Sequence, residues 1–254
     1  MRVLFLIILS IWFTSNAQKI QFEKLETKPT KFENFWGTDI SGNNYFSTGN
    51  NLYKVTKSDT LNYANNKYGK ISGVETFNML QTIVFYKENN AFVLLDAQFN
   101  EINTTLFTDI NCEVLKPASQ NELWFYDNFS QKFGLYNLNS NKFRLLNNPM
   151  TLKIKHCYSD YNKLYIIKDD FTYFSIDKFG NLEYKSVIGE FNQISFSDQE
   201  CVYTSNNEVF YVDISQLLIV PLNIHENLIK KVFFKDGILS IFTDSQLITY
   251  QIKK

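Results

Sequence analysis

The sequence predicts an all-β fold: a six-bladed β-propeller with four antiparallel strands per blade, closed by its own N-terminal strand. Three observations point there. First, an apolar run, a short Asn/Asp-rich turn, a second apolar run and a polar turn recur every 36 to 41 residues. A fixed period of this size belongs to stacked or radial repeats. Second, runs such as Val93-Leu94-Leu95 and Leu164-Tyr165-Ile166-Ile167 do not alternate with polar residues. They read as strands covered on both faces, as they would be between neighbouring blades. Third, the turns carry Asn, Asp and Gly, which tolerate the positive φ of tight hairpins, and no amphipathic helical pattern appears.

The first runs of the six repeats begin near Tyr45, Ile83, Leu123, Leu164, Cys201 and Leu239, and the second runs at Leu52, Phe92, Phe133, Tyr173, Val209 and Leu247. The third repeat shows the plan. Glu113-Val114-Leu115, Leu123 to Tyr126, Phe133 to Tyr136 and Phe143 to Leu146 are four short strands separated by turn residues. Blade boundaries are expected near residues 36, 71, 111, 152, 191 and 228. The third strands end on Asp96, Asn137, Asp177 and Asp213, where a short side chain caps the following turn. The last repeat is one strand short, and a spare strand, Lys19 to Leu25, lies at the other terminus. Residues 19–25 are therefore expected on the outer edge of the last blade, with Phe22 and Leu25 packed on it, which removes an open seam. A transmembrane β-barrel is the rival architecture. It needs strands of about nine to eleven residues with one polar face, and the runs here are shorter and apolar on both faces.

Residues 1–17 read as a secretory signal peptide: Arg2, an apolar run from Val3 to Phe13, then small residues before Gln18. Residues 18–254 form one propeller domain in this reading. Without residues 1–17 the chain has 24 basic and 26 acidic residues, a net charge of −2. Nothing in that balance suggests nucleic acid or an anionic membrane surface, and no second apolar stretch reaches membrane-spanning length. The expected product is an exported monomer, periplasmic or extracellular. Three cysteines, Cys112, Cys157 and Cys201, give no complete disulfide framework. Cys112 and Cys157 occupy comparable places in neighbouring repeats, and either a bridge or buried thiols fits that spacing.

Trp36-Gly37-Thr38-Asp39-Ile40-Ser41-Gly42-Asn43-Asn44-Tyr45-Phe46 carries the phrase Asp-x-x-Gly-Asn ahead of an aromatic, and Asp177 to Asn181 repeats it in a different turn. Over residues 19–254 the pattern resembles the six-bladed propellers of the broad secreted class with NHL-type and regulator-type repeats. The resemblance implies the fold and is nearly silent on function, because propellers host unrelated activities.

Motifs that carry chemistry are mostly missing. There is no Ser-x-Asp-x-Gly-x-Thr-Trp turn and no repeated tryptophan docking motif. There is no Cys-x-x-Cys or His-x-x-x-His pair, and Ser195 and Ser197 have no nucleophile-elbow context. No cofactor is expected, and His156, Cys157 and Cys201 are not expected to share a metal. His225 stands beside Glu226 in the connector to the last blade. Sequence neighbours on a strand point to opposite faces, so an exposed loop is the expectation there. The turns between second and third strands share one face of a propeller with the connectors between blades. That face would carry Asn50, Asn51, Glu88, Asp127, Asp169, Asp170, Asn206 and Asp244, with Phe35, Trp36, Tyr68, Phe191 and His225 from the connectors. An Asn/Asp-rich rim with aromatics suits sugar or protein recognition. Two functions follow. One is a non-enzymatic binding or scaffold module of the bacterial cell envelope, recognising a protein or glycan through one face. The other is a hydrolase, lactonase or lyase acting on a sugar or small ester in the central channel. Three convergent carboxylates or a His–carboxylate pair in that channel would favour the second.

Overall fold

Six four-stranded antiparallel sheets, five of them each formed by one sequence repeat and the sixth completed by the N-terminal strand, make up the computed structural model, which describes residues 20–78, 80–119 and 121–253. The proposed signal peptide lies outside the described residues. Strand β1 spans Gln21–Pro29. Blade 1 is β2 (Asn34–Thr38), β3 (Asn44–Thr48), β4 (Asn51–Val55) and β5 (Thr60–Ala64). Blade 2 is β6 (Gly73–Asn78), β7 (Gln81–Tyr86), β8 (Ala91–Asp96) and β9 (Glu101–Leu106). Blade 3 is β10 (Cys112–Pro117), β11 (Glu122–Asp127), β12 (Lys132–Asn137) and β13 (Lys142–Leu145). Blade 4 is β14 (Ile154–Ser159), β15 (Lys163–Lys168), β16 (Thr172–Asp177) and β17 (Leu182–Val187). Blade 5 is β18 (Gln193–Ser197), β19 (Glu200–Ser205), β20 (Glu208–Asp213) and β21 (Leu218–Pro221). Blade 6 is β22 (Lys231–Lys235), β23 (Ile238–Phe242) and β24 (Gln246–Lys253), completed by β1.

The first strand of each blade lines the axis and the last lies outside. That arrangement explains the apolar runs. Among the described residues, six apolar clusters sit one at each interface between successive blades, including the interface of blade 6 with blade 1. Middle strands such as β7 and β8 are buried along nearly their whole length because both their faces meet a neighbouring sheet. Each fully buried ring there, Phe92, Phe125, Phe133 or Phe174, contributes about 2–3 kcal/mol of transfer free energy. Close packing between strands also requires glycine. Gly134 on β12 lies opposite Phe125, and a Cβ there would come within 2.2 Å of that ring.

Turn chemistry sets the hairpins. Asn206 and Asn207 have φ of 50° and 65°, the two positive values of a type I′ turn between β19 and β20. Asp96 accepts the N–H groups of Gln98 and Asn100, and Asp177 those of Phe179 and Asn181. Asn137 accepts those of Asn139 and Ser140, and Asp213 that of Gln216. The four residues at the ends of third strands therefore cap the turns that follow.

Ring closure runs through β1. It pairs antiparallel with β24, with Phe22 opposite Ile252 and Pro29 opposite Gln246. The Phe22 ring meets Tyr250 edge-on, with centroids 6.3 Å apart. The strand is longer than the expected 19–25, and its register shifts between Lys24 and Glu26. That irregularity falls on Leu25, which is 51% exposed instead of packed on the blade. A bulge leaves its extra residue unpaired and turns the side chain away, so this part of the expectation is corrected.

Candidate functional site

Two surfaces merit attention: the faces made by the turns, and the channel on the axis. On the face predicted from sequence, the turn residues divide by role. Asp127 is buried and holds its own turn, accepting from the N–H groups of Asn111, Phe129 and Ser130 and from the Ser130 hydroxyl. Those bonds hold its carboxyl below the usual range even though burial works to raise it. Asn51 donates to the Thr48 carbonyl, and Asn50 donates to Asn66 at 3.3 Å. Asp170 accepts from Lys168 at 2.7 Å and from the Thr172 N–H, so its carboxyl is held down at about 2, Lys168 first among the causes. Asp244 pairs with Lys230 at 2.5 Å. Glu88, Asp169 and Asn206 are exposed, as is His225. Glu226 does not pair with His225. It accepts from the Tyr250 hydroxyl at 2.8 Å and from Lys24 at 3.3 Å.

The aromatics expected on this face sit elsewhere. Phe35, Tyr68 and Phe191 are buried. The connectors run into the interfaces between blades, and their rings pack there. Trp36 lies within β2 at the channel and donates through Nε1 to Ser47 Oγ at 3.0 Å. Phe129 in the β11–β12 turn and Leu228 ahead of β22 supply the exposed apolar groups of this face instead. The opposite face, made by the first and third turns of each blade, carries more. Ile40 and Tyr161 stand at turns between first and second strands, Phe179 and Leu217 at turns between third and fourth strands. Their exposures are 65%, 68%, 86% and 87% in that order.

The channel is bounded by β2, β6, β10, β14, β18 and β22 and encloses a cavity of about 390 Å³. Glycine shapes the wall here. A Cβ on Gly37, whose φ is 144°, would come within 2.5 Å of the Phe233 ring. Charged side chains reach the cavity from several blades. Lys116 on β10 forms an ion pair with Glu75 on β6, tying blade 3 to blade 2. Enclosure works to lower the Lys116 pKa, but Glu75 and the thiol of Cys157 outweigh it and the net displacement is upward. Glu113 is taken by Lys87 and by the Asn128 amide. The Lys155 ammonium lies over the rings of Phe171 and Phe191, at 5.0 and 5.3 Å from their centroids. Lys231 on β22 is walled in and has no hydrogen-bonding or ion-pair partner among the described residues. Enclosure first, then the nearby charge of Lys116, pushes its pKa down, against a smaller upward pull from Glu75 and Cys157.

His156 lines the same cavity. The channel wall first, then Lys231 and Lys116, hold its pKa down at about 3, so the imidazole is neutral at physiological pH. Its ring lies 6.1 Å from Phe196, beside a stack in which Tyr158 is sandwiched between Phe196 at 4.1 Å and Tyr165 at 4.6 Å. The Tyr158 hydroxyl is bonded to that of Tyr173 at 2.6 Å. Ser195 Oγ accepts the Phe234 N–H at 2.9 Å, a structural bond between blades 5 and 6. Cys112, Cys157 and Cys201 are free thiols. Burial pushes the Cys157 and Cys201 pKa values up, the latter to about 12, which makes both poor nucleophiles. Among the described residues no three His, Cys, Asp or Glu side chains are grouped to hold a metal ion. The channel is therefore neither carboxylate-rich nor apolar. It is lined by lysine, with one neutral imidazole and an aromatic wall.

Sequence reasoning missed Glu75, Lys116 and Lys231. The signal was present, since each is a charged residue inside the first strand of its blade, and first strands face the axis.

No protein-family model matches the chain, and no curated protein matches it in sequence. Solved structures do match its shape. Virginiamycin B lyase from Staphylococcus aureus superposes with a TM-score of 0.61 at 9% identity, over 92% of this chain and 99% of that one. A Bacteroides thetaiotaomicron protein of unknown function gives 0.65 at 11%, over 92% and 76% of the two chains. A chain of the mitotic checkpoint complex gives 0.64 at 9%, over 100% and 99%. At such identities the likeness establishes the β-propeller fold alone. Among the described residues no helix is long and apolar enough to cross a membrane.

Proposed function

We propose that the protein is an exported binding or scaffold module of the bacterial cell envelope, of the secreted NHL-like propeller class. In this reading it works as a monomer and recognises a protein partner through one face. One observation carries the reading: the exposed Ile40, Tyr161, Phe179 and Leu217 at turn tips on a single side of the ring. Tips of short turns on a rigid scaffold are where binding groups are placed at low entropic cost. Apolar groups at that position gain by being covered by a partner. The N-terminal residues 1–17, read as a signal peptide, support export. The Asn/Asp rim of the other face, with Glu88, Asp169, Asn206 and His225 exposed, supports a second reading in which the ligand is a glycan.

The test is capture from the organism's own envelope fraction on immobilised protein lacking residues 1–17. The double variant Phe179→Ser/Leu217→Ser should lose the captured protein, while Glu88→Ala/Asp169→Ala should keep it. Loss with the second pair alone would favour the glycan face. Retention with both pairs would refute recognition through either face.

A further inference from the structure

The charge ledger of the channel is unequal. Its wall carries Lys116, Lys155 and Lys231 against Glu75 and Glu113. Glu75 is held by Lys116, Glu113 by Lys87, and Lys155 is spread over two phenylalanine rings. One lysine of the wall, Lys231, has no ion pair of its own among the described residues: Glu75 is near enough to favour its charge, but that carboxylate is already held by Lys116. Enclosure of that charge is costly and its neighbour Lys116 adds repulsion, and the shared Glu75 offsets the two only in part. An anion in the cavity would remove both costs at once. His156 adds a neutral ring whose nitrogens make no hydrogen bond among the described residues, so a donor is free beside the lysine.

We propose that the central channel is a binding site for a small organic carboxylate, held by Lys231 with Lys116 behind it and His156 beside it. The kind of anion follows from what the wall holds. A single positive charge without an ion pair of its own suits a monoanion. A phosphate or sulfate dianion is better matched by the forked donors of arginine. The chain has only Arg2 and Arg144, and Arg144 lies on the outer strand β13, donating to the Lys178 carbonyl. Apart from Ser72 and Ser195, the rest of the wall is mostly apolar or aromatic, with Trp36, Val232 and Phe233 close to Lys231 in sequence or across the channel. Such a wall favours an acid with an apolar body over a bare inorganic ion. A cavity of about 390 Å³ lies at the lower end of the range used by small-molecule sites. The site is separate from both turn faces and does not depend on the envelope reading.

Calorimetric titration of the purified protein with benzoate, in a buffer free of carboxylates, tests the proposal. Saturable binding is expected. Lys231→Met should weaken it tenfold or more, and Lys142→Met, on the outer strand, should leave it unchanged. Absence of saturable binding, equal weakening in both variants, or phosphate binding more tightly than benzoate would overturn the assignment. A second measurement needs no variant. The chain has two histidines, His156 and His225. In protein labelled on histidine, benzoate should shift the His156 ring signals saturably and leave those of His225 in place. Movement of His225 alone, or of neither, would overturn the proposal even if Lys231→Met fails to fold.

Discussion

Removing Glu75 from the channel is a sharp test of its electrostatics. Glu75 and Lys116 join the innermost strands of blades 2 and 3, and their side chains are 26% and 23% exposed. Breaking a buried pair costs about 3–5 kcal/mol and breaking an exposed one about 0–1. Three-quarters burial beside a solvated cavity places Glu75→Gln between the two, at about 2 kcal/mol. The variant leaves Lys116 charged and enclosed, facing Lys231 with no anion between them. For a chain of this size that destabilisation lowers the melting temperature by about 4–8 °C. Lys116→Met alone strands Glu75 and should cost a similar amount. The double variant removes both charges and keeps the volume, so it should recover most of the loss, giving a coupling of about 1.5–3 kcal/mol. The assay is urea denaturation of the four proteins followed by tryptophan fluorescence. Additive effects, or a Glu75→Gln midpoint equal to that of the parent, would refute the view that the pair is what makes the channel lysines tolerable.

Further predictions concern the ring and its buried groups. Phe22→Ala should cost about 2 kcal/mol, roughly half the value for a fully buried phenylalanine, because its ring is only half-buried against Tyr250. Leu25→Ala, at the exposed bulge, should leave the urea midpoint where it is. His156 titrates at about 3 in the fold against 6.5 unfolded, so below pH 6.5 the unfolded chain binds the extra proton. Stability is then complete above pH 6.5 and falls as pH drops towards 3, by less than about 1.4 kcal/mol per pH unit because the ring meets channel water. His156→Leu should flatten the dependence between pH 6.5 and 4.5, and an unchanged slope would contradict the assignment. Metal analysis of the purified protein should find no stoichiometric zinc. One equivalent lost on Cys157→Ala would show a site bound by that thiol.

The period of the repeat made the blade count and nearly every strand legible, because each blade must present apolar surface to two neighbours and a turn residue to each end. Closure was legible by the same reasoning, since β22 to β24 lacked a fourth strand and residues near Phe22 had no other place to pair. What escaped the sequence depended on local geometry between elements. Leu25 looked like a packing residue, and only the register shift beside it turns it outward. Phe35, Tyr68 and Phe191 looked like surface aromatics because connectors are usually exposed, yet these connectors enter the interfaces between blades. Lys231 was not singled out from the sequence at all. Its lack of an ion pair of its own becomes visible only when six first strands converge on one axis and Glu75 is seen to be held by Lys116.

The channel, the two faces and the interfaces between blades all depend on the ring being closed by β1. Hydrogen exchange followed by mass spectrometry on the peptide covering residues 21–29 tests that most directly. The account predicts a set of slowly exchanging amides in that peptide, with protection comparable to that of residues 246–253 and lost together with it as denaturant rises. Exchange of residues 21–29 at unstructured rates, while 246–253 stays protected, would contradict closure by the N-terminal strand.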